Sequence, residues 1–359
     1  MTDLFASLSF SSGAVMTNRF MLAPLTNQQS HADGTLSEEE ERWLGLRAQG
    51  GFGAVMTAAA FVNPEGRGFD GQLGVHDDIC LPGLIRAADT IRAANSLSLL
   101  QLHHGGARAA MSTGLPRVAP SEDPEFGAVA MTQGQVEAMI EDFISAAERA
   151  ERAGFDGVEL HGAHTYLLCA FLSAQMNQRT DCFGGSLDNR AKPIRAIIDG
   201  VRKRCGPQFT LGLRLSGERM GLQMADVLTL SEQLMQEGGL DFLDLSLWDV
   251  FKDPVEAAYQ GKPLIAWFAE LDRAKTRLGV AGQVRSGATA QACLDAGADF
   301  VLIGRAAIAN HDFPRRVREA ADYGMPTLPL SRAHLLEQAV SPTFLAYLEA
   351  DFPGFVEGE

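Results

Sequence analysis

Short apolar runs, many of them β-branched, return along the chain at Arg19–Leu25, Gly53–Ala59, Leu97–Leu102, Asp156–His161, Phe209–Leu215, Asp241–Ser246, Val280–Val284 and Asp299–Ile303. Continuous runs of this length, bounded by glycine and polar residues, predict eight buried strands. Between them the apolar period lengthens to that of a helix. The clearest case is Thr132–Arg152, where Thr132 and Gln135 make a capping box and Val136, Met139, Ile140, Phe143, Ala147 and Ala150 form one stripe. The acidic stretch Ser37–Glu41 opens another helix with acids at its positive end. Strict alternation of strand and helix implies right-handed crossovers and a parallel sheet, and eight such units suit a closed (β/α)8 TIM barrel better than an open doubly wound sheet. Met111–Met131, rich in Pro, Gly, Ser and Asp, is too long for a plain βα turn and predicts an excursion over the barrel mouth after strand three.

No linker or low-complexity block divides the chain, so residues 1–359 are expected to form a single α/β domain, with a barrel core of about 15–320 and a C-terminal extension of about 321–359. The aromatic residues Phe344, Tyr347, Phe352 and Phe355 of that extension would cap the barrel, dock on a neighbouring subunit, or pack as an ordinary terminal helix. Hydrophobic residues at 46% and charged ones at 21% are an ordinary globular balance. A formal charge of −15 with no basic run argues against a nucleic-acid partner. The five cysteines, Cys80, Cys169, Cys182, Cys205 and Cys293, form no C-x-x-C pair, which fits a reducing compartment, excludes iron–sulfur and structural zinc sites, and suggests buried thiols. The start, MTDLFASLSF, lacks the features of a signal peptide, and no apolar run reaches membrane-spanning length. A soluble cytoplasmic protein, monomer or homo-oligomer, acting on a small molecule is expected.

In a barrel, chemistry gathers where the strands end. The residues there are Thr26, Ala58–Ala60, Gln101, His161 with His164, Arg214, Ser246, Arg285 with Ser286, and Gly304 with Arg305. No lysine ends a strand, which counts against a Schiff-base aldolase, and neither a carboxylate pair nor an H-x-H metal set is present. Donors without a nucleophile point to a borrowed cofactor. Val284–Gly287 and Ile303–Arg305 place backbone N–H groups, a cation and helix starts where barrels bind phosphate; alternatively these glycines only make turns and Arg305 sits in a surface ion pair. His161, His164 and Tyr166 can converge on one substrate oxygen with a phenol nearby, or they can merely satisfy buried carbonyls. A metal pair at H-x-x-H would want a third ligand, and none ends a neighbouring strand.

With these residues in view the chain resembles the Old Yellow Enzyme family of FMN-dependent ene-reductases. The resemblance runs from Asn18-Arg19 and Ala23-Pro24-Leu25-Thr26 through Val62–Arg67, Gln101–Gly106, Val118–Ser121, His161–Tyr166 and Asn177–Arg190 to Leu213–Ser216 and Ile303–Arg305. The block ending GGSxxNR is the most specific part. The resemblance implies noncovalent FMN with Pro24, Leu25, Thr26 and Ala59 along the isoalloxazine, Gln101 at the pyrimidine edge, and Arg214 at the N1–C2 carbonyl side, where it would stabilise the reduced flavin. It further implies Ser286, Gly287, Gly304 and Arg305 on the phosphate, His161 and His164 on the oxygen of an activated alkene, and Tyr166 as proton donor. NADH or NADPH would supply hydride, and the substrate would be an electrophilic α,β-unsaturated carbonyl or nitro compound. Two departures stand out. Asn27-Gln28-Gln29 replaces an aromatic residue of many relatives, making Gln28 the expected substrate neighbour, and Thr26 stands where one branch has a redox-tuning cysteine. Other readings are an FMN-dependent amine dehydrogenase or oxidative demethylase and a non-redox barrel that binds a phosphate ligand.

Overall fold

The computed structural model describes residues 3–358. Eight parallel strands follow one another around a closed barrel: β1 (Phe20–Leu22), β2 (Ala54–Phe61), β3 (Leu97–His103), β4 (Gly157–Gly162), β5 (Thr210–Ser216), β6 (Phe242–Ser246), β7 (Arg277–Ala281) and β8 (Phe300–Ile303). Pairing of Val301, Leu302 and Ile303 with Phe20, Met21 and Leu22 closes the ring. The helices between strands include α1 (Glu38–Gln49), α2 (Leu81–Arg92), α3 (Gln133–Arg152), α4 (Leu187–Arg204), α5 (Met224–Glu237), α6 (Leu264–Ala269) and α7 (Gly287–Asp295), with α8 (Phe313–Glu319) among those after β8. The capping box of α3 forms as its sequence predicts. Ser37 caps α1, yet the third acid of its first turn, Glu40, turns inward and is fully buried.

Strand seven lies three residues earlier than the apolar run Val280–Val284 indicates. Arg277 and Gly279 interrupt the apolar signal at its start, and the Arg277 side chain leaves sideways for Ser9 O and Asp299. At its end Gly282 takes φ +149 against the backbone of Trp248, a conformation that breaks the ladder. A second unforeseen element lies at the N-terminus. Leu8–Ser9 and Val15–Met16 form an antiparallel hairpin that plugs the bottom of the barrel, with the Phe10 ring 5.5 Å from Phe242 and 6.2 Å from Phe300. Two-residue strands carry no readable alternation. Glycine makes the lumen wide enough: a Cβ at Gly212 would strike the Phe242 ring and one at Gly279 the Phe300 ring.

The excursion after β3 pairs Val118–Ala119 with Val129–Ala130. The tail beyond α8 carries α9 (Arg332–Glu337) and α10 (Pro342–Asp351) and folds onto its own barrel. Phe344 stands edge-on to Trp43 at 4.9 Å, and Arg47, buried with no acid in ion-pair distance among the described residues, donates to Gln338 O and Ala307 O. Four thiols are buried as expected, but Cys182 is exposed.

Candidate active site

The upper ends of the strands enclose a cavity of ≈ 290 Å³. Ala23, Pro24, Leu25 and Thr26 after β1 form one wall, Arg214 and Ser246 the end of β5 and β6, and Ala281–Arg285 with Gly304, Arg305 and Ile308 the opposite side. Phe344, Tyr347, Leu348 and Phe352 of the tail complete it. Tyr347 lines the cavity together with Thr26; burial first, then the charges of Asp351 and Tyr166, push its phenol up to about 12, so it remains neutral. The sequence names Tyr347 among the tail aromatics that would cap the barrel, dock on a neighbouring subunit or pack as a terminal helix, and gives it no role in the site.

The rim suits an anion. Arg285 and Arg305 converge there, and among the described residues neither has a carboxylate within ion-pair distance. Burial and the neighbouring Arg285 both lower the affinity of Arg305 for its proton, the mark of cations held together without a counter-charge. A phosphate on this pair, a flat ring along Pro24–Thr26 and a polar edge at Arg214 together fit FMN. Gly304 and Arg305 line the cavity; Ser286 and Gly287 stand behind it, since the Ser286 hydroxyl caps α7 through Thr289 N and the Gly287 N–H donates to Tyr323 O. Arg285, one residue earlier, faces the cavity in their place.

At the end of β4 the rings of His161, His164, Tyr166 and, from β3, His103 meet at 4.3–5.4 Å between centroids. His164 and Thr165 adopt φ +60 and +62, two successive left-handed residues that fold the turn so that both imidazoles come together. Ala163 N donates to His161 Nδ1, which leaves the proton on Nε2, while His164 Nε2 meets Ser246 Oγ at 2.7 Å. Burial, followed by the positive charges of Arg214 and Arg108, holds His164 at about 3; burial also lowers His161 strongly. Both rings are therefore neutral donors near pH 7. The Tyr166 hydroxyl has no hydrogen-bond partner among the described residues, and Arg108 lies 5.2 Å from the ring, also donating to His164 O. His103, with Gln72 Nε2 on Nδ1 and Nε2 unpartnered, was quoted only as part of a motif by the sequence reading.

Beneath this layer Gln101 Nε2 donates to Glu159 Oε1 at 2.7 Å, and Arg214 Nε approaches Asp244 Oδ2 at 3.2 Å. Ala59 pairs with Gln101 across β2 and β3 after a bulge that begins at Met56. Gln28, at φ +56, sits in the loop after Thr26, its carbonyl against Gly71. That loop is fixed from below: buried Glu40 accepts from Asn27 Nδ2 and from the Ser30 hydroxyl.

Residues 3–322 match the NADH:flavin oxidoreductase / NADH oxidase family. The chain is 36% identical over 338 residues, 90% of each chain, to a probable NADH-dependent flavin oxidoreductase, YqiG, of Bacillus subtilis (strain 168). It is 35% identical to the NADH:fumarate oxidoreductase of Klebsiella pneumoniae (strain 342), covering 85% of this chain and 35% of that protein. Among solved structures, morphinone reductase in complex with tetrahydroNAD superposes with a TM-score of 0.78 at 28% identity over 93% of this chain and 94% of that one. The old yellow enzyme homologue from Zymomonas mobilis does so with a TM-score of 0.80 at 25% identity, over 98% and 99%. The chain belongs to the NADH:flavin oxidoreductase / NADH oxidase family, and is an FMN-binding, NAD(P)H-dependent oxidoreductase of the Old Yellow Enzyme type.

Proposed function

We propose that this flavin oxidoreductase reduces the C=C bond of α,β-unsaturated carbonyl or nitro compounds. The observation that carries the reading is the pair of neutral imidazoles, His161 and His164, beside a phenol whose hydroxyl has no partner among the described residues. Bound FMN supplies hydride, taken beforehand from NADH or NADPH. The residues do the rest. His161 Nε2–H and the His164 ring donate to the carbonyl or nitro oxygen, drawing charge from the double bond and stabilising the negative charge that grows on that oxygen. Neutral rings serve this better than an imidazolium, which would give its proton to the oxygen. Tyr166 donates its proton to the carbon next to the carbonyl. Pro24, Leu25 and the tail residues Tyr347 and Phe352 exclude water from the ring-binding wall, and Arg214, Arg285 and Arg305 orient the cofactor. Relatives named NADH:fumarate oxidoreductase and NADH:acrylate oxidoreductase are named for unsaturated acids, which supports an activated-alkene substrate; the chain spans about a third of each.

Tyr166→Phe separates the steps. Reduction by NADH and turnover of a nitroalkene, whose nitronate product needs no enzymatic proton, should remain near wild type, while reduction of cyclohexenone slows ~10²–10⁴-fold. Equal rates with the enone remove Tyr166 from the reaction. Turnover of an amine with an external acceptor, without enone activity, would establish the reverse, dehydrogenase direction instead.

A further inference from the structure

We infer that Glu159 and Asp244, the two carboxyl groups that flank Arg214 inside the barrel, form a proton site tied to the redox state of the flavin: the pair holds one proton when FMN is oxidised and takes a second when it is reduced. This rests on the reading that Arg214 faces the pyrimidine side of FMN. The argument begins with charge. Glu159 and Asp244 both have no exposed surface, and among the described residues Arg214 is the one cation between them. Gln101 satisfies Glu159 Oε1, but Glu159 Oε2 and both oxygens of Asp244 have no hydrogen-bond partner among the described residues. Among the groups that face the pair, β3 offers the Gln101 amide, β4 adds neutral His161 above Glu159, and β6 adds Ser246, whose hydroxyl accepts from Arg214 Nη2. The floor of the lumen is apolar: Met21, Met56, Ala281, Phe300 and Leu302.

Two carboxylates and one guanidinium enclosed away from the surface leave one negative charge uncompensated, and in such a medium a proton is the cheapest remedy. Burial and the neighbouring Asp244 push Glu159 far above the carboxylate range, and burial, opposed by Arg214, raises Asp244 to about 6. Near neutral pH the cluster is thus Glu159 protonated, Asp244 and Arg214 charged, and neutral overall. A hydride brings the flavin two electrons and one proton and leaves one negative charge on it. That charge competes for Arg214 and repels Asp244, and both effects raise the proton affinity of Asp244. The second proton comes from solvent, so two electrons enter with two protons.

The test is the pH dependence of the FMN midpoint potential in the holoenzyme, followed spectroelectrochemically. From about pH 6 upward the wild type should fall by about 60 mV per pH unit, the slope of a two-electron, two-proton couple, against about 30 mV for one proton. D244N should hold the shallower slope throughout, whereas E159Q, which puts a neutral amide where a neutral acid stands, should keep the steep one. A wild-type slope of about 30 mV, or a D244N slope still near 60 mV, overturns the inference. If Arg214 does not face the flavin, D244N moves the potential at no pH; if it does but the pair takes no proton, D244N shifts it by the same amount at every pH. Should both variants fail to fold, the wild-type slope decides together with its reduced-minus-oxidised infrared spectrum, in which a new carboxylic-acid C=O band is expected and its absence counts against the pair.

Discussion

His104 shows how much a buried imidazole can govern. Its ring is fully enclosed, Nδ1 accepting from Gly106 N while Nε2 is unpaired, and burial holds it at about 3. An unfolded chain binds that proton near the ordinary value of about 6.5, so the stability tied to His104 is intact above that pH and drains away as the pH falls toward 3. Against His104→Gln, the wild-type advantage should shrink by about 1.4 kcal/mol per pH unit below pH 6.5, read from urea midpoints at several pH values; a constant gap would show the ring is not held neutral. Arg305 answers to a different measurement. Arg305→Ala removes half of an unpaired cation pair, and FMN affinity should fall roughly ten- to hundredfold by fluorescence titration, with unchanged occupancy after dialysis counting against a phosphate there. At this scale the sequence was legible wherever a side chain ends a strand: His161, Arg214 and Arg305 are found at the mouth as read. It was blind to which neighbour in a turn faces inward. Nothing in Arg285-Ser286-Gly287 says that the hydroxyl caps a helix and the guanidinium enters the cavity.

Elements were read as well as their periodicity allowed. β1 to β6 and β8 fall where their apolar runs lie, because strands buried on both faces tolerate few polar residues. β7 slipped by three residues because a strand that begins with arginine and holds a glycine gives a weak signal. The tail was readable as helices but not as part of the site, since Tyr347 and Thr26 are brought together only by the packing of α10 on α1. That packing predicts a coupled loss. Phe344 is fully buried against Trp43, so Phe344→Ala should cost about 3–5 kcal/mol in urea unfolding and weaken FMN retention as α10 loosens from the cavity. Loss of stability with flavin affinity intact would mean that the tail walls the cavity without supporting it.

Across the whole molecule, the two ends of the barrel have separate tasks. The upper end is polar and open, and the lower end is sealed by the hairpin and the Phe10, Phe242 and Phe300 rings. Phe10→Ala should therefore lower stability by about 3–5 kcal/mol while leaving the visible flavin spectrum unchanged; a spectral shift would show that strain travels up the lumen. The seal has a further consequence for synthesis. Ser12 N bonds Asp241 Oδ1, its hydroxyl meets Thr210, and Arg19 reaches Asp299 O, partners separated by 198 to 280 residues. Residues 12–19 leave the ribosome long before these partners and must wait for them, and the apolar side chains of the hairpin stay open to chaperones or to other nascent chains throughout that delay.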